Sequence, residues 1–173
     1  MRLSTPQLDQ MKLSSQEEYG LRCLLRLGRE AEGGSLTIPQ LSSREGLSAA
    51  NVAKMMRVLR RAKLVVSTRG KDGGYALARP ADRIRVSETL AALGGRLFDA
   101  GFCDTHSGST ASLCAHMGDC SIRSVWRIMQ DAIDGALGRM TLKDLMRGET
   151  DLRAWSAPQV VRLNVLPSGS DRT

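Results

Sequence analysis

Residues 37–78 read TIPQLSSREGLSAANVAKMMRVLRRAKLVVSTRGKDGGYALA, and the fold is decided inside this stretch. Thr37 stands where a helix N-cap belongs, Pro39 falls in the first turn where its missing N–H costs nothing, and Gly46 offers a left-handed stop. Ser48 then caps a second helix that runs to about Lys63. Helix, tight glycine turn, helix is the order of a helix-turn-helix. At roughly 100° per residue, Val52, Met55, Met56 and Leu59 share one side of the second helix, and Ala50, Lys54, Arg57 and Arg61 share the opposite side. The outer side opens with Ser48, Ala49, Ala50 and Asn51 and then turns basic. That gradient suits a recognition helix whose first turn enters a major groove while later arginines meet phosphates.

After Leu64 the period changes. Val65 to Thr68 and Tyr75 to Ala78 flank Arg69-Gly70-Lys71-Asp72-Gly73-Gly74, which reads as a β-hairpin with a glycine-rich loop of about five or six residues. Directly after a helix-turn-helix, a hairpin is a wing. Arg69 and Lys71 sit at its tip, and Gly70, Gly73 and Gly74 allow backbone to approach a phosphate or a minor groove. The loop is not a nucleotide cradle, because neither GxxxxGK[ST] nor GxGxxG occurs.

The charge points the same way. From Arg44 to Arg85 lie Arg44, Lys54, Arg57, Arg60, Arg61, Lys63, Arg69, Lys71, Arg79, Arg83 and Arg85 against Glu45, Asp72 and Asp82. That segment alone carries +8 against +7 for the whole chain, so the remainder is near neutral at -1. A basic stretch of this kind suits a polyanion, since each neutralised phosphate releases counterions.

Working outward, Ser14 and Glu17 form a capping box ahead of a first helix. Its apolar residues occupy two faces, Leu21, Leu24 and Leu25 on one and Tyr19, Cys23 and Leu27 on the other, so it is expected between two packing partners, with Cys23 as a small buried hydrophobe. Arg22, Arg26 and Arg29 share its polar side. Downstream, Ser121 can cap a helix through Leu137 that repeats Ile122, Val125, Trp126, Met129, Ala132, Ile133 and Ala136 at helical spacing and continues to Met140. Thr141 and Asp144 suit the cap of a short last helix reaching Arg147. No run approaches the eighteen or so apolar residues of a membrane span, and the N-terminus lacks an apolar leader, so a cytoplasmic protein without membrane association is expected.

Between these helical patterns lies a glycine- and serine-rich stretch with Cys103, Cys114 and Cys120. A connector this long is uncommon inside a compact domain unless it is disordered or functional. In a reducing compartment three clustered cysteines read as metal ligands or redox sensors rather than disulfides. Three readings stand: an iron-sulfur cluster, structural zinc completed by His106 or His116, and a metal-free loop with redox-active thiols or no chemical role. An enzyme is not expected, because no nucleophile has a convincing base and the only two histidines lie in the cysteine stretch.

The pieces together resemble the IscR/NsrR-type (Rrf-two) family of bacterial winged-helix transcriptional regulators. The resemblance runs from MKLSSQEEYGLRCL at Met11 to about Arg147, and the RG-x-x-GGY-x-L wing from Arg69 to Leu77 is its most specific part. It implies a mainly α fold with a small β-hairpin: an N-terminal extension over 1–10, a winged helix-turn-helix domain over 11–86, and a linker helix with a cluster-binding loop over 87–121. A dimerisation helix and short final helix over 122–148 and a flexible tail over 149–173 complete it. It further implies a homodimer on a palindromic operator, acting as a repressor or activator, with an iron-sulfur cluster on Cys103, Cys114 and Cys120 whose loss, oxidation or nitrosylation is the signal. The spacing here is C-x10-C-x5-C, longer in its first interval than the family's usual five residues. The histidine that serves some relatives three residues after the last cysteine is Arg123 here. The fourth ligand then falls to Glu18 of the partner subunit, or to His106 or His116, a mixed set that suits a [2Fe-2S] form over [4Fe-4S] in relatives. The alternative is a constitutive or thiol-responsive winged-helix regulator with structural zinc or no metal.

Overall fold

A computed structural model describes residues 14–31, 33–68, 73–96, 98 and 119–154. Helix α1 (Ser15–Gly28) starts on the expected capping box: the Ser14 N–H donates to Glu17 Oε2 at 2.6 Å and the Glu17 N–H to Ser14 Oγ at 3.4 Å. It buries Gly20, Cys23, Leu24 and Leu27. Helices α2 (Ile38–Glu45) and α3 (Ala49–Arg61), strand β2 (Gly74–Leu77) and helices α4 (Val86–Leu93) and α6 (Leu142–Leu145) all pack against it, so α1 is the central post of the domain. A Cβ on Gly20 would lie 2.6 Å from Leu93 Cδ1, so a larger residue there would have to displace that side chain. Leu21 and Leu25, expected on an inner face, are only half-buried.

The helix-turn-helix forms as its capping residues dictate. The Thr37 hydroxyl accepts the Gln40 N–H, Pro39 lies in the first turn, and Gly46 closes α2 at φ 63°. Ser48 caps α3 by accepting the Asn51 N–H at 3.2 Å. Helix α3 ends at Arg61 rather than Lys63. Lys63 instead takes a left-handed φ of 58°, a conformation uncommon outside glycine, and turns the chain into strand β1 (Val65–Thr68). Strands β1 and β2 pair antiparallel, Val65 with Leu77 and Thr68 with Gly74. The second strand therefore starts and ends one residue earlier than the sequence pattern predicts.

A third segment joins the hairpin. Leu36 and Tyr75 exchange backbone hydrogen bonds of 2.8 and 2.9 Å, and a Cβ on Gly74 would lie 2.6 Å from the Leu36 carbonyl group. Glycine at 74 is thus needed for two backbones to meet. After a 3-10 turn at Ala81–Arg83, α4 ends on left-handed Gly94. Leu24, Leu36, Leu41, Val52, Met56, Leu59, Leu64, Ile84, Leu93 and Leu142 are almost fully buried and make one core. Each such side chain contributes roughly 1.5–3 kcal/mol by leaving water.

Helix α5 (Ser121–Leu137) is capped by Cys120, whose Sγ accepts the Arg123 N–H at 3.4 Å, and not by Ser121, which is its first helical residue. The predicted single stripe divides in two. Trp126, Ile133 and Leu137 are half-buried around Gln130, while Ile122, Val125, Ile128 and Ala132 stand exposed. Helix α6 has the predicted Thr141/Asp144 capping box but spans only four residues, with Arg147 just beyond it paired to Asp144 at 3.5 Å. Residues 149–154, where a flexible tail is expected to begin, are helical. The N-terminal extension over 1–10 and the tail beyond 154 lie outside the described residues.

Candidate nucleic-acid interface and cysteine segment

Helix α3 has two opposed faces. Val52, Met55, Met56 and Leu59 are at most 2% exposed, which pins the helix to α1 and α2 and leaves its other side in solvent. On that side Ser48, Ala49, Ala50, Asn51, Lys54, Arg57 and Arg61 are all exposed, as the sequence pattern predicts. Lys54, Arg57, Arg60 and Arg61 form no ion pair among the described residues. Small residues open the helix and long cations follow, so the first turn can enter a groove before the guanidinium groups reach the flanking phosphates.

Not every cation of the basic segment shares this freedom. Arg44 pairs with Glu30, Arg85 donates to the Gly138 carbonyl, and Arg79 joins Glu88 while donating to the Arg83 carbonyl at 2.8 Å. These three hold the fold together. Charge counting along the sequence cannot separate them from Arg57, because their partners come from other elements. Glu45, one of the three acids within the segment, takes Arg26 at 2.6 Å and Arg22 at 3.3 Å, locking the end of α2 to α1.

In the wing, Gly73 and Gly74 are half-buried, and the Gly74 N–H donates to Thr68 Oγ1 at 2.9 Å. Gly74, expected to let backbone reach a phosphate, has a packing reason in its contact with Leu36. Arg69, Gly70 and Lys71 lie outside the described residues.

Of the expected metal ligands, Cys103, His106, Cys114 and His116 also lie outside the described residues. Cys120 is a half-buried free thiol at the N-cap of α5. Its chemistry fits a thiolate ligand. Glu18 is exposed in the first turn of α1. The chain leaves α4 beside that turn: Gln16 Nε2 donates to the Leu93 carbonyl at 2.7 Å, and a Cβ on Gly95 would lie 3.1 Å from the Glu17 carboxyl carbon. Among the described residues no three His, Cys, Asp or Glu side chains converge as a metal set. Cys23 is fully buried, and burial, helped by the Glu45 charge against an opposing Arg22, pushes its thiol up to about 11. It is a core residue, as expected.

A cavity of about 430 Å³ opens where α1, β2 and α6 meet. Its described lining holds no Ser, Cys or His, and its Glu30 and Arg79 are already paired with Arg44 and Glu88. Nothing there resembles a nucleophile with its base.

Residues 13–148 match the Rrf2 family, described as an iron-dependent transcriptional regulator. The chain belongs to the Rrf2 family. Protein rrf2 of Nitratidesulfovibrio vulgaris is 34% identical over 137 residues, 79% of this chain and 88% of that one. The HTH-type transcriptional regulator IscR of Cronobacter sakazakii is 30% identical over 139 residues, 80% of this chain and 82% of its own. Among solved structures, T. potens IscR has a TM-score of 0.59 at 30% identity, covering 79% of this chain and 87% of that chain. CymR, the global cysteine regulator of B. subtilis, has a TM-score of 0.59 at 26% identity, covering 79% and 96%. This Rrf2 protein is therefore a DNA-binding transcriptional regulator and not an enzyme, on the winged-helix fold its sequence predicts. No helix among its described residues is long and apolar enough to cross a membrane.

Proposed function

We propose that this Rrf2 protein works as a two-fold dimer on a palindromic duplex operator, and that an iron-sulfur cluster held by Cys103, Cys114 and Cys120 sets its operator affinity. The observation that carries the DNA reading is the two-faced α3, with its inner residues at most 2% exposed and its outer cations without ion pairs among the described residues. The dimer reading rests on α5. Ile122, Val125 and Ile128 are 62%, 52% and 66% exposed along one helix, an apolar face that a soluble monomer rarely leaves open. Small Ala132 on the same face lets a second copy of the helix approach closely. Two-fold pairing of this kind presents two recognition helices about one DNA turn apart.

The cluster reading rests on the three cysteines and on where Cys120 lies. Cys120 begins α5, so a ligand bond at its sulfur acts directly on the helix whose outer face pairs two subunits. Glu18 of the partner subunit, His106 or His116 completes the set, and a [2Fe-2S] form suits such mixed ligands. When bound, the group supplies a centre open to one-electron oxidation and to nitrosylation. The chain's own part is to hold Cys120 at the helix end and to seat the outgoing segment at Gly95 against Glu17.

Oxygen-free purification followed by visible absorption and iron and sulfide analysis tests the cluster. Coloured protein with equal iron and sulfide is expected, and the Cys120→Ser variant is expected to be colourless. Operator affinity should differ between loaded and stripped protein by about 5- to 150-fold, the usual range of site-to-site coupling. Equal affinity would remove the switch, and a colourless zinc-containing preparation would replace it with a structural metal.

A further inference from the structure

Helix α5 buries one residue, and it is a glutamine. Gln130 is 4% exposed. A buried amide is costly unless bonded, and this one is bonded at both ends: Oε1 accepts the Phe98 N–H at 3.3 Å, and Nε2 donates to Asp134 Oδ1 at 2.9 Å. Asp134 Oδ2 in turn pairs with Arg96 at 3.0 Å, and the Arg127 guanidinium lies 5.9 Å from the centre of the Phe98 ring. Three α5 residues about one turn apart therefore grip residues 96 and 98, just after α4.

A second support lies beyond the C-terminal end of α5. The Val86 N–H donates to the Met140 carbonyl at 2.9 Å and the Leu142 N–H to the Ile84 carbonyl at 2.8 Å, and Arg85 donates to the Gly138 carbonyl. Ten residues of mostly helical chain, about 15 Å, separate Gln130 from Met140. Two supports at that separation fix the direction of a rod; with one removed it swivels about the other. The bonds at Gln130 are directional, whereas apolar contacts of similar strength would let the helix slide.

We propose that Gln130 is a positioning residue that sets the angle between α5 and the winged domain, and so selects the half-site spacing of the operator. The inference rests on the dimer reading given above, because only in a dimer does the angle of α5 translate into a distance between recognition helices. A spacer changed by one base pair moves the half-sites apart by about 3.4 Å.

Selection from a random duplex library, carried out with full-length wild type, Gln130→Leu, Asp134→Asn and Arg96→Ala, tests it. Wild type should enrich a palindrome with one spacer length. Gln130→Leu should enrich the same half-sites, but its preference for that spacer over one a base pair longer or shorter should fall about fivefold, the lower end of ordinary coupling. Asp134→Asn and Arg96→Ala, which spare the Phe98 bond, should show a smaller fall. Unchanged spacer preference in Gln130→Leu overturns the inference. If that variant does not fold, unchanged preference in the other two overturns it equally. Wild type that enriches half-sites without a palindrome sinks the dimer reading and this inference with it, whereas wild-type spacing shared by every variant sinks this inference alone.

Discussion

Helices α3 and α5 are both strongly two-faced, and the protein uses their apolar faces in opposite ways. Helix α3 turns Val52, Met55, Met56 and Leu59 into the core and shows its cations to solvent; α5 shows Ile122, Val125 and Ile128 to solvent and keeps Gln130 inside. Periodicity reports that a helix has a face to cover. It does not report what covers it. For α3 the cover is its own domain, and for α5 the proposed cover is a second copy of the chain.

The largest expected effects come from substitutions that set the two faces against each other. Leu59→Ala removes a fully buried side chain and should cost about 2–5 kcal/mol in urea unfolding. Ile128→Asp should leave the stability of dilute monomer nearly unchanged, since the side chain is 66% exposed. It should instead abolish concentration-dependent association in sedimentation and weaken palindrome binding by at least about tenfold, equivalent to 1.4 kcal/mol. If Ile128→Asp unfolds the monomer as Leu59→Ala does, the contrast between the two helices is gone.

The same contrast explains what was legible in the sequence. The caps of α1, α2, α3 and α6 were readable because an N-cap needs a particular side chain three residues before its partner, a purely local rule. The two faces of α3 were readable from the 3.6-residue period. Pairings between distant segments were not: Leu36 with Tyr75, Glu45 with Arg22 and Arg26, and Gln130 with Phe98 have no local signature. The one hint was a polar residue at 130 between Trp126 and Ile133 on the inner stripe. Left-handed Lys63 had none, because lysine carries no preference for that conformation, and the cysteine cap of α5 was hidden by serine at the next position. Of the residues proposed for the interface, those on α3 are exposed, while Arg69, Gly70 and Lys71 and two of the three cysteines lie outside the described residues.

A smaller effect separates the cations proposed to meet DNA from those that hold the fold. Arg57→Ala should lower the slope of log affinity against log salt by about 1 and leave urea unfolding unchanged, because it removes one exposed cation proposed to meet a phosphate. Arg79→Ala should do the reverse. It breaks the link from Glu88 to the Lys63 and Arg83 carbonyls at the base of the wing, so its cost, about 1 kcal/mol, should appear in unfolding while the salt slope holds. Equal salt slopes for the two variants would show that the basic segment acts as one undivided charge.

The finest test compares two thiols, one from each half of the contrast. With Cys103 and Cys114 replaced by serine, the chain keeps Cys23 in the core and Cys120 at the start of α5. Burial first, then the Glu45 charge, raises Cys23 from 9.0 to about 11, so its neutral form is the one that folding favours. That contribution is whole below about pH 9 and is lost as pH rises toward 11, since the unfolded thiol ionises before the folded one. At pH 8 a thiol reagent should therefore label Cys120 at once and Cys23 only at the rate of global opening. Adding Cys23→Ala should remove the slow phase and flatten the part of the alkaline stability loss that falls between pH 9 and 11. If Cys23 labels as fast as Cys120, then α1 opens without the rest of the domain, and a helix that moves so freely cannot be the post on which α3 is held.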